Sequence, residues 1–304
     1  PDNQIDDHHP YFDLKVKPAE TQRLETIIYN NEDKEITVKV WIHNASTNSN
    51  GLIIYEEQEE TDPSLTYPIN EILTLEKEEV TVPAGESVSV FASLQVPEKD
   101  FEGILLGGLH FEKVTEEEEK QSEGVAIQNK YAYVIGVQLT ETDTKILPNL
   151  QLNDVTPTLV NYRTAVVANV QNSAPTIVRD LVIQAKVFKN GTSAPIKSEE
   201  YEHFRMAPNS NMDIIINWEN QALEAGDYRL ELLASTEGDE WEWNKPFTID
   251  VEAEELNEEA VELEEKTIPT WGWIIIGIGI GLAACVIALL LYIKKLKKNN
   301  YPDK

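Results

Sequence analysis

Cysteine is almost missing from this chain: there is one, Cys285, in 304 residues. No disulfide can form within one copy, which excludes the disulfide-stapled domains common outside the cell. Without cysteine ligands, the five histidines (His8, His9, His43, His110 and His203) cannot complete a Cys/His zinc set. Basic charge is also scarce. Lys and Arg number 25 against 54 Asp and Glu, and the net charge is −29. Phosphate backbones are repelled by such a surface, so nucleic acid is excluded as a partner. Docking onto anionic lipid or teichoic acid is disfavoured unless metal ions bridge, whereas a basic protein would be steered in. Catalytic signatures are missing too. There is no HExxH, no GxSxG elbow and no Ser-x-x-Lys set with its supporting motifs. Paired carboxylates of the glycosidase kind stay open, because acidic residues lie everywhere. The reading is a protein that is not an enzyme and uses no cofactor and no metal.

One stretch lacks charge altogether. Trp271 to Ile293 is 23 residues long without a single Asp, Glu, Lys, Arg or His. As a helix it would reach about 34 Å, enough to cross a hydrocarbon core of about 30 Å. Lys294, Lys295, Lys297 and Lys298 follow directly and mark a cytoplasmic side, while Trp271 and Trp273 suit the opposite headgroup layer. The expectation is a transmembrane helix at 271–293, a cytoplasmic tail at 294–304 and an outward-facing ectodomain. The chain begins at Pro1 rather than Met, which points to a removed export signal. Gly277 and Gly281 in the span make a small-xxx-small face of the kind that brings membrane helices together.

Within the ectodomain, apolar residues alternate. Phe12, Leu14 and Val16 share one face, as do Ile36, Val38, Val40 and Ile42, and again Val88, Val90, Ala92, Leu94 and Val96. A period of two marks half-buried strands. Turn signals separate them, at Lys17–Glu20, Asn30–Asp33, Asn48–Gly51 and Pro83–Gly85. Phe101–Val114 and Gly124–Leu139 read as long strands around an acidic loop, Thr115–Glu123, which lacks the alternating Asp/Asn and Gly of a calcium loop. LPNL at 147–150 lacks the Thr-Gly of a sortase signal and reads as a linker. Further strands follow at 165–171, 181–188, 212–218, 228–234 and 247–251, with a hairpin turn at Asn190-Gly191. From Glu252 a narrow stripe of Ala253, Leu256, Ala260 and Leu263 runs through eight glutamates, which suggests a partly helical acidic stalk.

The fold class is therefore all-β: two tandem immunoglobulin-like β-sandwiches, residues 1–148 and 149–251, a stalk at 252–270 and the membrane helix. Candidate binding residues are aromatic or glycine. Trp41 falls on the strand face opposite Ile42, and Tyr131 and Tyr133 share a face, so all three are candidates either for stacking on sugar or anchoring a protein, or for core packing or edge cover. Gly107 and Gly108 lie mid-strand, where another backbone could approach, either as a docking edge or at a bulge. Trp241 and Trp243 share a face in the second sandwich and read either as a partner site or as a buried pair.

In order along the chain, YFDLKVKPAE, ITVKVWIHNASTNSNG, SLTYPI, VPEKDFEGILLGGLHF and NKYAYVIGVQL resemble the first domain of the WxL-interacting proteins of Gram-positive bacteria. LPNLQLNDV, AVVANVQN, MAPNSNMDIIINW, AGDYRLELLAS and WEWNKPFTI resemble their second. The resemblance implies a cell-surface adhesion or assembly scaffold. Its first domain would bind peptidoglycan. Its second would bind WxL-domain proteins or host extracellular-matrix proteins. The alternative is a structural spacer or assembly chaperone for WxL proteins that recognises no glycan. The resemblance supplies no contact residues. One departure is Pro18-Ala19, where the family pattern favours Pro-Gly.

Overall fold

Alternating apolar residues become strands almost wherever they run. The computed structural model describes residues 1–6, 8–114, 132–261 and 263, and six residues between 282 and 291. The first sandwich is built from β1 (Phe12–Lys15), β2 (Thr21–Tyr29), β3 (Ile36–Asn44), β4 (Ser46–Thr47), β5 (Ile53–Ile54), the short helix α1 (Ile69–Ile72), β6 (Leu73–Leu75), β7 (Glu79–Val82), β8 (Ser87–Gln95), β9 (Leu105–Lys113) and β10 (Ala132–Thr140). One sheet has the order β1-β10-β9-β3-β7 and the other β2-β8-β6, with β4 and β5 forming a small ribbon. β1 joins β10 in parallel, and every other pair in these sheets is antiparallel. Leu14, Val40, Leu109, Val137 and Leu139 from one sheet pack on Leu24, Leu73, Ala92 and Leu94 from the other.

The second sandwich follows with β11 (Leu150–Val160), β12 (Arg163–Asn172), β13 (Val178–Lys189), β14 (Lys197–Met206), β15 (Ser210–Asn217), β16 (Gly226–Ser235) and β17 (Glu240–Ile249). Its sheets run β11-β12-β15 and β14-β13-β16-β17. Val166, Ile183, Ile214 and Leu230 are wholly buried between them. The acidic segment starts as a helix, as its apolar stripe suggests. Residues Val251–Glu259 form helix α2, capped by Asp250, whose side chain accepts from the Ala253 N–H. The apolar stripe explains why it docks: Ala253 enters the second core and Leu256 packs against it. Asn257 secures the helix by accepting from Leu223 N–H at 2.7 Å and donating to Leu223 O at 2.9 Å.

Both sandwiches belong to one compact unit, residues 1–261. Their seam is polar and specific. Thr47 Oγ1 lies 2.8 Å from Ser210 Oγ and accepts from Ala207 N–H at 2.9 Å. Arg205 N–H donates to Gly51 O, and Ile104 N–H donates to Pro175 O, both at 2.8 Å. Gly51 holds φ +67°, and a Cβ there would fall 2.1 Å from Phe204 Cγ, so no other residue closes this turn against the second sandwich. Asp62 is 9% exposed although it is a carboxylate. It accepts from Gln171 Nε2 at 2.8 Å and from Asn211 Nδ2 at 2.5 Å, both across the seam.

The membrane span expected at 271–293 and the acidic loop Thr115–Glu123 lie outside the described residues. Among the described residues no helix is long and apolar enough to cross a membrane.

Candidate functional site

The outer face of the larger sheet collects the site. Register places Trp41 of β3 beside His110 of β9, and His110 beside Val134 of β10. Their neighbours Ile42 and Leu109 point the other way, into the core. Trp41 is 37% exposed. Its ring meets His110 edge-on at 5.6 Å, and His43 meets His110 edge-on at 5.8 Å. The three rings thus form one row. Burial and the adjacent His110 hold the His43 imidazole below its usual pKa, while Glu57 and Glu56 pull it the other way. His110 Nδ1 is buried with no hydrogen-bond partner.

Beside His43 the surface opens into a recess of about 240 Å³, lined by Asn44, Ser46, Glu56, Glu57, Glu60, Asp62, Asn70, Asn209 and Asn211, among others. It lies at the seam between the sandwiches. Four carboxylates reach its lining, and no Lys or Arg does. Asn44 Nδ2 donates to Asn70 Oδ1 at 3.1 Å, and Asn44 Oδ1 accepts from the Asn70 backbone N–H at 3.3 Å. Asn209 Nδ2 donates to Ser64 O at 3.1 Å. Ser46 Oγ is buried without a partner. Among the described residues no group of three or more His, Cys, Asp or Glu side chains could hold a metal ion. At the N-terminus His8 binds Asp6 at 2.9 Å and His9 stacks on Tyr11 at 4.8 Å.

Of the other sequence candidates, among the described residues only Gly108, opposite His43 and two residues before His110, lies on this face. Gly107 and Gly108 sit in β9, between β10 and β3, so they offer no edge for a partner strand. The pairing runs through both without a register shift, which excludes a bulge. Their missing side chains admit the chain itself. A Cβ on Gly107 would fall 2.7 Å from both His43 O and Ile69 Cβ, and one on Gly108 would fall 3.0 Å from the Tyr55 ring. Tyr133 is 74% exposed, but its register partner is Phe111, a core residue. Tyr133 therefore projects from the opposite face to Trp41, and Tyr131 lies outside the described residues. Trp241 and Trp243 stand opposite Ala234 and Leu232 and pack half-buried against the second core. Sequence reasoning missed His43, His110 and the Glu56–Asp62 segment. The spacing Trp41-x-His43 in a strand was a usable signal. The approach of residues 56–62 was not, because no local pattern encodes it.

A family model described as the WxL Interacting Protein peptidoglycan binding domain matches residues 1–113. A second, described as the WxL Interacting Protein host binding domain, matches residues 122–258. The chain belongs to the WxL-interacting protein family. Trp41, His43, His110 and the Glu56–Asp62 segment of this WxL-interacting protein all lie inside the first match. Strand β10 lies inside the second match yet pairs with β9 and β1 in the first sandwich. Both models describe binding domains, and together they make this a cell-surface binding protein. No curated protein matches it. Among solved structures, the CupB2 chaperone of Pseudomonas aeruginosa is 11% identical, covering 73% of this chain and 91% of its own, with a TM-score of 0.31. The E. coli chaperone DraB is 12% identical, covering 77% and 92%, with a TM-score of 0.29. At these scores the likeness carries no argument.

Proposed function

We propose that this protein is a non-catalytic, membrane-tethered scaffold of the cell wall. Residues 1–148 hold peptidoglycan, and residues 149–251 hold a protein, either a WxL-domain protein or a host extracellular-matrix protein. The observation that carries the reading is the ordered pair of family matches, 1–113 and 122–258, along a single compact unit. The tether is read from the uncharged stretch 271–293 and the lysines after it. Leu282, Val286, Ile287 and Leu289–Leu291 are helical, and each exposes more than half of its apolar surface, which suits contact with lipid. A membrane span and wall affinity reinforce each other, since the first attachment raises the effective concentration of the second.

The test is co-sedimentation of the full chain, kept soluble in mild detergent, with sacculi stripped of teichoic acid and protein. Pelleting with little dependence on salt, and no release of soluble muropeptides, is the expected result. A chain that stays in the supernatant while still capturing a purified WxL-domain protein would overturn wall binding. It would leave a spacer or assembly chaperone, which the interlocked seam also suits.

A further inference from the structure

We infer that the peptidoglycan site is the outer face of β3 and β9 together with the recess beside it. Its ligand is a muropeptide whose sugar ring lies on Trp41 and His110 and whose free side-chain ammonium enters among Glu56, Glu57 and Glu60. This rests on the wall-binding reading above and adds its place and its chemistry.

Three observations carry it. The first is the row of rings. Trp41 keeps 37% of its surface open, with His110 edge-on at 5.6 Å and Val134, 42% exposed, on the far side of His110. An exposed ring face with a polar ring beside it suits the apolar face of a pyranose. The second is charge. The recess has carboxylates and amides but no Lys or Arg in its lining. Asp62 is already engaged by Gln171, Asn211 and Ser64. Glu56, Glu57 and Glu60 are exposed on the rim. A primary ammonium on a flexible arm complements such a rim. The wall polymer offers both parts in one repeat: an N-acetylated pyranose, and a stem peptide whose diamino acid ends in an amine. The third is unmet hydrogen bonding. Two of the three buried polar atoms without a partner among the described residues, His110 Nδ1 and Ser46 Oγ, belong to this face. Such atoms call for a reason; both are sealed from solvent as placed, so a ligand amide satisfies them only where the Ser46 hydroxyl or the His110 ring turns outward on binding.

The test uses the full chain in mild detergent and stripped sacculi, before and after chemical N-acetylation of their free amines. Acetylation is expected to weaken wild-type binding about ten-fold, the loss of one charge-assisted contact. Glu56→Gln, Glu57→Gln and Glu60→Gln together should bring affinity for native sacculi down to that for acetylated sacculi. Trp41→Ala should weaken binding to both forms about ten-fold or more. The three glutamates are exposed, so the triple variant keeps its fold even if Trp41→Ala does not. If wild-type chain pellets but the triple variant or a folded Trp41→Ala pellets equally well, this site is wrong and wall binding stands elsewhere. If wild-type chain pellets with neither form, the wall-binding reading falls and takes the site with it.

Discussion

Ala19 stands where the backbone asks for glycine. It holds φ +59° in the turn that follows Pro18, and Glu20 N–H closes the reversal on Lys17 O at 3.1 Å. A Cβ in left-handed backbone costs about 1–2 kcal/mol. Ala19→Gly removes that cost and returns part of it as entropy of the unfolded chain. The net expectation is a gain of about 0.5–1 kcal/mol, read as a higher urea midpoint at unchanged slope. A lower midpoint would mean the turn is not left-handed there. His43 yields a second residue-scale prediction. Burial and His110 depress its folded pKa below the ordinary histidine value of 6.5. Protonation therefore favours the unfolded chain. The contribution of His43 is complete above 6.5 and is lost as pH falls through the folded pKa. The imidazole should titrate in the folded protein with a midpoint below 6.5 by NMR. His43→Asn should flatten the drop in thermal midpoint on acidification. A midpoint at or above 6.5 would contradict the buried placement beside His110.

Among the elements, β9 shows most clearly what packing decides. Its LLGGLHF stretch looked like a place for a foreign backbone, because glycine leaves room. The room is taken by Ile69 on one side of the sheet and Tyr55 on the other. Gly107→Ala should therefore destabilise by about 1–3 kcal/mol, as overpacking of a closed site does. Denaturant melting checks this, and a variant as stable as wild type would refute the packing account. Strands with clean alternation, such as β3, β8 and β16, were legible because both periodicity and burial follow the pleat. β14, KSEEYEHFRM, was not. It is an edge strand with register shifts near Phe204 and a left-handed His203 at φ +60°, so its few apolar side chains do not fall at a steady period. Helix α2 was legible as a stripe but not as a docked element, since a stripe says which side is apolar and not what it meets.

At the scale of the molecule, the seam makes two sandwiches one body. Asp62→Ala would leave the Gln171 and Asn211 amides across it without their acceptor. Losing an ionised acceptor at a buried site costs about 2–3 kcal/mol. Wild-type chain should melt in one calorimetric transition, and the variant in two, as the sandwiches lose their coupling. A single transition at an unchanged midpoint would show that Asp62 does not couple them. The sequence by itself determined the all-β class, the strand faces, the acidic surface and the family, because these follow from local periodicity, composition and ordered motifs. Only tertiary structure decided which candidates share a surface. It set Trp41 with His43 and His110, turned Tyr133 to the other face, tucked Trp241 and Trp243 against the second core, and brought Glu56–Asp62 to the seam. Register and long-range packing settle such matters, and a shift of one residue reverses every side chain in a strand.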